Sequence, residues 1–399
     1  MKITKAYKTE LDPTNKQITH FVGSCGMAHF VYNWALDYWI KEHERGEKRT
    51  GWMGLHKLLV KEKQENLTWM YDYSSWVSVY AIKQCDEAYQ NFFRRVKQGQ
   101  KPGFPKFKSK KRSKMTYTVN GGVVQITETA IRLPKVGWIR LKEHGYIPVK
   151  PDKICYATIS EKNGRWYASI TVNETISDQP EPENVIGVDL GIKTLAVTSD
   201  GIYYENPKAL YKAEKKLKRL DRRLSRREKG SNNRKKAKLQ RAKAYEKVMR
   251  IRRHVLNEIT TELAKNKSAI VIEDLNVSGM MQNHHLARAI SDVSFSEFRR
   301  QLEYKCKWYG SELVVIDRWF PSTKTCSNCG AIQDMKLSDR VYKCDCGLVM
   351  DRDLNAAINI RNYYTAKHAG IDACGEIIRP QNIGAVSLKQ EVGNEVVYV

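Results

Sequence analysis

The stretch VIGVDLGIKTLAVTSDG, residues 185–201, decides how the second half of the chain is expected to fold. One apolar run ends at Asp189, and a second run follows Gly191. Short apolar runs that are bounded by turn residues are typical of buried β-strands. The stretch therefore predicts two neighbouring strands, and GIYYE, residues 201–205, is a candidate for a third.

The segments that follow extend this pattern into an α/β domain. A basic segment with leucines at helical spacing is interrupted by GSNN, residues 230–233, and then resumes as a second helix. Strands are predicted at AIVIEDL and ELVVIDRW, residues 269–275 and 312–319. FSEFRRQLEYKCKWYG, residues 295–310, predicts a helix between them, and a last helix starts at LNAAINI, residues 354–360. The predicted order is β-β-β-α-β-α-β-insert-α.

The first half of the chain shows a different pattern. KITKAYKTEL predicts a strand, and residues 15–97 carry apolar residues at helical spacing. From Met115 the apolar period changes to two, and Asn163 with Gly164 predicts the turn of a β-hairpin because both residues tolerate positive φ. We expect an antiparallel, wedge-like β-barrel that binds nucleic acid over residues 1–14 and 98–176, with a helical recognition insertion at 15–97.

The net charge of +25 is concentrated in two segments. Residues 208–253 hold 21 Lys or Arg and four acids, and residues 92–114 hold ten basic residues and no acid. Focused positive charge of this kind favours a polyanionic partner, with phosphate backbones as the leading candidate. The alternative is two solvated helix faces. The basic residues expected to contact nucleic acid are Arg94, Arg95, Lys106, Lys108, Lys110, Lys111, Arg112, Arg222, Arg223, Arg226, Arg227, Lys235 and Lys236.

Aromatic residues interleave with the basic residues of the segment 92–114, at Phe92, Phe93, Phe104 and Phe107. This mixture suits phosphate contacts combined with stacking on bases or sugars. The same phenylalanines could equally belong to the core, with only the lysines exposed. The sequence leaves both interpretations open.

Composition also bears on location and redox state. No apolar run approaches the ~18 residues that a membrane helix needs, and the first residues lack the apolar core of a signal peptide. We therefore expect a cytoplasmic protein. Five scattered cysteines are then expected to be reduced, small and buried, namely Cys25, Cys85, Cys155, Cys306 and Cys374.

Three acidic residues stand where predicted elements begin or end. Asp189 and Glu273 each follow a buried strand, and Asp353 precedes the last helix. Adjacent strands would bring the first two together, and a helix packed across the strand ends would add the third. Such carboxylates repel one another unless cations hold them, and two Mg²⁺ ions ~4 Å apart can activate water for phosphodiester cleavage.

Each acid also has a simpler explanation. Asp189 could shape the following turn, and Glu273 could be a solvated strand end. Asp351 or Asp353 could cap the final helix. The three together, beside a strongly basic segment and in this order of elements, favour a nuclease site.

Four of the nine cysteines crowd into residues 326–346 as CSNCG and CDCG. Cys326, Cys329, Cys344 and Cys346 predict one structural Zn²⁺ with four thiolate ligands. The C-x-C spacing of the second pair is shorter than the usual C-x-x-C, and it could leave one of those two sulfurs outside the ligand set. Four protein ligands would leave no open position for catalysis.

The motifs GVDLG, VIEDLNV and CG-x3-DRDLNAAINI together resemble the RuvC-like, ribonuclease H-fold nuclease domain of the TnpB proteins of insertion sequences, relatives of compact type V CRISPR effectors. The resemblance covers nearly all of residues 184–361. It implies that Asp189, Glu273 and Asp353 are the catalytic acids, since the acid of the family stands two residues before Asn355. Asp351 would then be a cap or a supporting group.

The resemblance also implies a domain plan. A ribonuclease H-like (RuvC) domain is expected at residues 184–319 and 351–365, with a zinc-ribbon insert at 320–350. The polar, Pro-interrupted segment 177–183 is expected to be a linker, and residues 366–399 a partly disordered tail. More loosely, PGFPKFKSKKR looks like the amino-terminal half of the family, which grips guide RNA and target DNA.

The function that this implies is an RNA-guided DNA endonuclease of a mobile genetic element. Its partners would be a guide RNA transcribed from the element and double-stranded target DNA with a short flanking motif. Its cofactors would be two catalytic Mg²⁺ ions and one structural Zn²⁺. Two alternatives are a non-cutting transposon-associated regulator that binds nucleic acid, against which the three acids argue, and a transposase that acts directly by strand transfer.

Overall fold

The computed structural model describes residues 2–176, 184–336 and 339–368. The described residues form two compact units: residues 2–176 with 219–243, and residues 184–218 with 244–368. The predicted linker at 177–183 and almost all of the predicted tail lie outside the described residues. Among the described helices, none combines the length and the apolar character that crossing a membrane would require.

The first unit begins with a strand and a helical block. Thr14 starts the first helix because its hydroxyl accepts the Gln17 amide while the Gln17 side chain accepts the Thr14 amide at 3.0 Å. The helices predicted within residues 15–97 are present. The elements are β1 (Lys2–Asp12), α1 (Asn15–Glu44), α2 (Trp52–Glu65), a 3-10 turn (Thr68–Asp72) and α3 (Ser75–Lys97).

Six more strands complete the sheet of the first unit. They are β2 (Thr116–Asn120), β3 (Gln125–Ile126), β4 (Ala130–Leu133), β5 (Gly137–Leu141), β6 (Lys153–Lys162) and β7 (Arg165–Thr175), with a 3-10 turn at Gly121–Val123. The hairpin between β6 and β7 is confirmed, since Asn163 and Gly164 have φ of 56° and 76°. Residues 98–115 hold no strand or helix, and β2 begins one residue after Met115, where the change of period predicts the first strand.

The seven strands have the order β2-β6-β7-β1-β5-β4-β3, and every pair is antiparallel. Strand β1 pairs with β7 along most of its length and with β5 at Leu11 and Asp12. The predicted antiparallel sheet is therefore confirmed. Its two edge strands, β2 and β3, are not hydrogen-bonded to each other in the part of the chain that the structure describes. Closure into a barrel therefore stays a prediction.

Helices α1 and α3 pack on this sheet around large aromatic side chains. The Phe21 ring lies 5.0 Å from that of Trp166, and Cys25 and Cys85 are buried in the same core. Cys306 is buried in the second unit, so three of the scattered cysteines behave as predicted. Cys155 is only half-buried and donates to Asn173 at 3.3 Å. Cys374 lies outside the described residues.

The elements between residues 184 and 368 are β8 (Val185–Leu190), β9 (Thr194–Thr198), β10 (Tyr203–Glu205), α4 (Ala209–Ser225), α5 (Asn232–Asn266), β11 (Ala269–Glu273), α6 (Val277–Met280), α7 (Ala287–Val293), α8 (Phe295–Tyr309), β12 (Glu312–Ile316), β13 (Val341–Lys343), β14 (Val349–Asp351) and α9 (Arg352–His368). They follow the predicted order, with two short helices, α6 and α7, that were not predicted. The end of α4 and the start of α5, within residues 219–243, belong to the first unit. The basic segment breaks at GSNN as predicted, although α5 already begins at Asn232.

A mixed sheet organises this unit, with strand order β10-β9-β8-β11-β12. Strands β8, β11 and β12 are parallel to one another, whereas β9 and β10 are antiparallel to their neighbours. One face of the sheet packs on α5, α7 and α8 through residues such as Ile186, Leu256 and Phe298. The other face packs on α9 through Val271 and Ile360. Helices thus cover both faces of the sheet, as in α/β proteins.

Candidate functional site

Asp189 and Glu273 stand at the ends of two adjacent parallel strands. The register between β8 and β11 pairs Val188 with Ile272, so Asp189 and Glu273 come next in line. Side chains alternate between the two faces of a strand. Glu273 therefore shares the face of Val271, which packs on α9. Both acids lie at the carboxyl edge of the sheet, beneath the start of that helix.

A glycine allows α9 to reach the sheet at this point. A Cβ atom at Gly187 would lie 2.1 Å from the Ala357 carbonyl oxygen and 2.5 Å from the Arg361 nitrogen. The backbones of β8 and α9 are therefore in direct contact, which only glycine permits. Gly187 precedes Asp189 by two residues, and Ala357 follows Asp353 by one helical turn. This contact carries the start of α9 towards the carboxylates.

The first turn of α9 assigns different roles to its two aspartates. The Asp351 carboxylate accepts the amides of Asp353 at 2.9 Å and Leu354 at 3.1 Å, so Asp351 is the cap of the helix. The Asp353 carboxylate accepts the Arg352 guanidinium at 3.1 Å. Asp353 is half-buried in the first turn, where the helix dipole stabilises a negative charge.

The electrostatics of the site show that the acids interact. Burial, reinforced by the Glu273 and Asp353 carboxylates, raises the pKa of Asp189 to about 8. Burial also raises the pKa of Glu273, and a hydrogen bond from the Ser322 hydroxyl opposes that shift. Glu273 is therefore not a solvated strand end. At neutral pH Asp189 therefore favours a bound proton or a nearby positive charge.

The acids do not form as tight a group as the cysteines do. Among the described residues, the four cysteines are the one group of three or more acidic, Cys or His side chains with donor atoms all within 4.8 Å of one another. Acids that bridge two ions ~4 Å apart span more space than the ligands of a single ion.

The cysteine cluster has the dimensions of a four-thiolate zinc site. The Cys326 and Cys346 sulfurs lie 3.7 Å apart, and those of Cys329 and Cys344 3.5 Å apart. A tetrahedral ion with ~2.3 Å bonds to sulfur needs ligands roughly 3.8 Å apart. Both sulfurs of the C-x-C pair are within the group, so the short spacing leaves neither outside. A hydrogen bond from Asn328 lowers the pKa of Cys346 to about 6.

Two buried asparagines of α9 bind the loop that lies between the cysteine cluster and the acidic site. Neither was identified as a functional residue from the sequence. Asn355 donates to the Thr325 carbonyl at 2.7 Å and accepts the Ser327 amide at 3.0 Å. Asn359 donates to the carbonyls of Ser322 at 2.8 Å and Thr325 at 2.7 Å. Two amides one helical turn apart on an otherwise apolar helix face were the signal that could have revealed them.

The loop that these amides hold reaches the acidic site through one hydroxyl. Ser322 donates to the Glu273 carboxylate, while its own carbonyl is held by Asn359. The orientation of Glu273 thus depends on a loop that leads directly into the cysteine cluster. Such supporting hydrogen bonds commonly orient metal ligands.

The basic residues predicted to contact nucleic acid are exposed, with the exception of Lys108. The Lys108 ammonium lies 3.9 Å from the centre of the Tyr32 ring and donates to Gln84 at 3.1 Å. Burial lowers its pKa. This half-buried lysine therefore stabilises the packing of the first unit, and its role as a nucleic-acid contact stays a prediction.

The last turns of α4 and the two residues that follow it present a row of arginines. They line an open groove of about 480 Å³ and are Arg219, Arg222, Arg223, Arg226 and Arg227. Their spacing of three and four residues places them on one side of the helix. Arg219 was missing from the sequence-based set, although its helical spacing from Arg222 and Arg223 could have revealed it.

The phenylalanines of the segment 92–114 fit neither simple alternative. Phe93, Phe104 and Phe107 are exposed, and Phe92 is half-buried. The rings of Phe92 and Phe104 nevertheless meet edge to face at 5.5 Å. Phe92 and Phe104 thus form a small aromatic cluster at the surface, where the rings are neither buried in the core nor isolated from each other.

Comparisons with known proteins give the family. Residues 158–284 match a family described as "Probable transposase", and residues 295–360 match "Cas12f1-like, TNB domain". The chain is 35% identical over 404 residues to "Putative RNA-guided DNA endonuclease" of Streptomyces pristinaespiralis, which covers 98% of this chain and 96% of that protein. It is 32% identical over 401 residues to "Putative RNA-guided DNA endonuclease InsQ" of Escherichia coli (strain K12), covering 95% and 96%.

A shorter match is to "TnpB-like protein L79" of Acanthamoeba polyphaga mimivirus, with 34% identity over 125 residues, 30% of this chain and 24% of that protein. The chain belongs to the TnpB family of transposon-encoded proteins. Residues 1–48 also match a "Helix-turn-helix domain". In the structure this region holds β1 and one unbroken helix, Asn15–Glu44, rather than two helices joined by a turn.

Proposed function

We propose that the protein is an RNA-guided DNA endonuclease of a mobile genetic element and that Asp189, Glu273 and Asp353 are its catalytic acids. The observation that carries this proposal is the convergence of β8, β11 and the start of α9 on one edge of a sheet. There the pKa of Asp189 rises to about 8 under the influence of burial and of the other two acids. Two relatives support it, because they are named "Putative RNA-guided DNA endonuclease" and match this chain along nearly their whole length.

The architecture of the second unit supports a ribonuclease H-like (RuvC) domain. Three parallel strands stand beside two antiparallel ones, and helices cover both faces. On this proposal the nuclease domain comprises residues 184–319 and 351–365, and residues 320–350 are a zinc-ribbon insert. The sheet of residues 2–12 and 116–175 would be the nucleic-acid-binding β-barrel, and helices α1 to α3 its recognition insertion.

The donors of the acidic site fit Mg²⁺, which prefers carboxylate oxygens. The raised pKa values of Asp189 and Glu273 indicate that these groups gain from a cation. Two bound Mg²⁺ ions would supply an activated water and stabilise the leaving oxygen. The chain itself contributes placement: the strand ends fix two carboxylates, the capped turn of α9 fixes Asp353, and Ser322 orients Glu273.

We further propose that Cys326, Cys329, Cys344 and Cys346 hold one Zn²⁺. Four thiolates at the observed spacing suit this ion and leave no open position. Its role would be structural. It would fix the loop that the amides of α9 bind and that orients Glu273.

The nucleic-acid partners would be a guide RNA transcribed from the mobile element and a target DNA duplex with a short flanking motif. Exposed basic residues on α4 and α5, and in the segment 92–114, would neutralise phosphates of both. Sequence would be read by base pairing with the guide, while the protein recognises the backbone and the flanking motif.

The test is to purify the protein from cells that carry its native locus, sequence the bound RNA, and assay cleavage of a plasmid with a matching target in Mg²⁺. The expected result is one enriched RNA and guided cutting. Asp189→Ala should reduce cutting by at least about 1000-fold while RNA and DNA binding persist. The matched control is Asp200→Asn, which alters an exposed carboxylate of the same unit. Unguided cutting without bound RNA would overturn the guide, and unchanged cutting by Asp189→Ala would overturn the site.

The description of the family as "Probable transposase" makes strand transfer a specific second candidate. It would use the same acids. The assay separates the two functions by product, because strand transfer joins a DNA end to the target whereas hydrolysis leaves free ends. Joined products that depend on Asp189 would favour the transposase.

A further inference from the structure

An exposed tryptophan stands beside the proposed nuclease site without a role in it. Trp319 is 84% exposed, more than any other large apolar residue in the described part of the chain. It follows β12 and precedes Ser322, which donates to Glu273, by three residues. A tryptophan buries a large apolar surface when it finds a partner, so an indole displayed in this way points to a ligand.

The loop that carries Trp319 is held firmly on both sides. The Trp319 amide donates to the Asp317 carboxylate at 2.7 Å, and the Phe320 amide donates to the Asp317 carbonyl at 3.2 Å. The Phe320 ring packs edge to face on Tyr363 of α9 at 5.0 Å. The neighbouring Phe320 is thus anchored on the α9 side of the sheet, whereas the Trp319 side chain is exposed to solvent. The indole is displayed by a turn in which two amides donate to Asp317.

The surface around Trp319 is an open groove of about 520 Å³ with paired charges. Asp274, the residue after Glu273, accepts Arg299 at 2.7 Å and Arg318 at 2.5 Å. Each guanidinium group is partly neutralised, although about two fifths of each side chain remains exposed. The groove therefore lacks the strong positive potential that a duplex backbone requires. It offers an aromatic face together with hydrogen-bond donors, which suits an unpaired base.

We propose that Trp319 stacks on an unpaired nucleobase of the DNA strand that enters the acidic site, with Arg318 and Arg299 lining the same subsite. This inference rests on the proposed nuclease function and adds a base-stacking residue to it. Every base has an apolar face, so the contact tolerates any sequence. It would hold the strand that is cut at a fixed distance from Glu273, because one short loop carries both Trp319 and Ser322.

The test is a double-mutant cycle between the indole and the base. In this assay the complex with its guide RNA is given a series of target duplexes. Each duplex carries one abasic site in place of a different nucleotide near the scissile bond. For the unaltered protein, an abasic site at one or two positions should slow cutting at limiting DNA by about 10-fold. Trp319→Ala should cause a similar loss with intact DNA, and Trp319→Phe should retain most of the activity.

The deciding result is the combination. Trp319→Ala with the sensitive abasic site should be no slower than either change alone, because both remove the same contact. Losses that multiply, or Trp319→Ala that cuts like the unaltered protein, would overturn the proposal. An altered oligomeric state with unchanged cutting would do the same, because the indole would then meet another protein. Ile202→Ala, which removes an exposed apolar side chain of the second unit outside the loop 317–322, controls for surface effects.

This test separates the inference from the proposed function. If the unaltered complex does not cut a guided target, the nuclease proposal fails. If it cuts and the coupling is absent, only the role of Trp319 fails.

Discussion

The cysteine cluster and the acidic site are built on different scales. The four sulfurs come from residues 326–346 and meet within 4.8 Å. The carboxylates come from the ends of β8 and β11 and from the start of α9, and they do not meet as closely. The cysteines are near one another in the chain, so local turns can gather them, whereas the carboxylates come from distant elements that the whole sheet brings together. The acidic site is therefore the more sensitive of the two to the packing of distant elements.

The largest effect that distinguishes the two sites is expected from Gly187→Ala. The added methyl group would lie 2.1 Å from the Ala357 carbonyl oxygen, and neither backbone can move without separating α9 from β8. We expect a loss of more than about 3 kcal/mol in the stability of the second unit. Urea unfolding monitored by circular dichroism measures it, and cutting should be lost as well.

Gly26→Ala provides the matched control for this change. A methyl group there has no neighbour within 4 Å, and the residue lies inside α1, where alanine is the better helix former. We expect no loss of stability. Equal destabilisation by both substitutions would contradict the role assigned to the contact between Gly187 and α9.

An intermediate effect is expected when the cysteine cluster is broken. Cys346→Ser should reduce bound zinc well below one ion per chain, as measured by inductively coupled plasma mass spectrometry. Cutting should fall by about 10-fold to 100-fold, because the loop that orients Glu273 loses its support. Cys155→Ser, which changes a half-buried thiol outside the cluster, should leave both quantities unchanged. Full activity of the zinc-depleted variant would show that the two sites are independent.

The smallest effect is expected at the hydroxyl that joins the two sites. Ser322→Ala removes a hydrogen bond that lowers the pKa of Glu273, so the pKa should rise further and less of the carboxylate is ionised at a given pH. The acidic limb of the pH–rate profile should move to higher pH, and cutting at pH 7 should fall by about threefold to tenfold. Ser322→Thr keeps the hydroxyl and should retain the original profile. An unshifted profile in Ser322→Ala would contradict the link.

Much of this comparison could be predicted from the sequence. The strands that end at Asp189 and Glu273 are short apolar runs, and the turn at Asn163 and Gly164 needs positive φ, so local chemistry was sufficient there. The cysteine spacing predicted the cluster, and the structure places both sulfurs of the tight C-x-C pair within it, a point that the spacing left open. These features depend on neighbours in the chain.

What the sequence did not provide depends on contacts between distant elements. Asn355 and Asn359 gain their role only when the ribbon loop lies against α9. Lys108 was assigned to the surface by composition, and only the fold shows its ammonium over the Tyr32 ring. The contact at Gly187 likewise has no local signature, because a glycine within a strand has several possible uses.

The most direct test is a crystal structure of the guided complex soaked with Mn²⁺, in which anomalous diffraction locates the ions. We expect anomalous peaks from Mn²⁺ ions that the carboxylates of Asp189, Glu273 and Asp353 bind. These peaks should disappear in Asp189→Ala. Mn²⁺ that supports cutting while binding away from all three acids would contradict it.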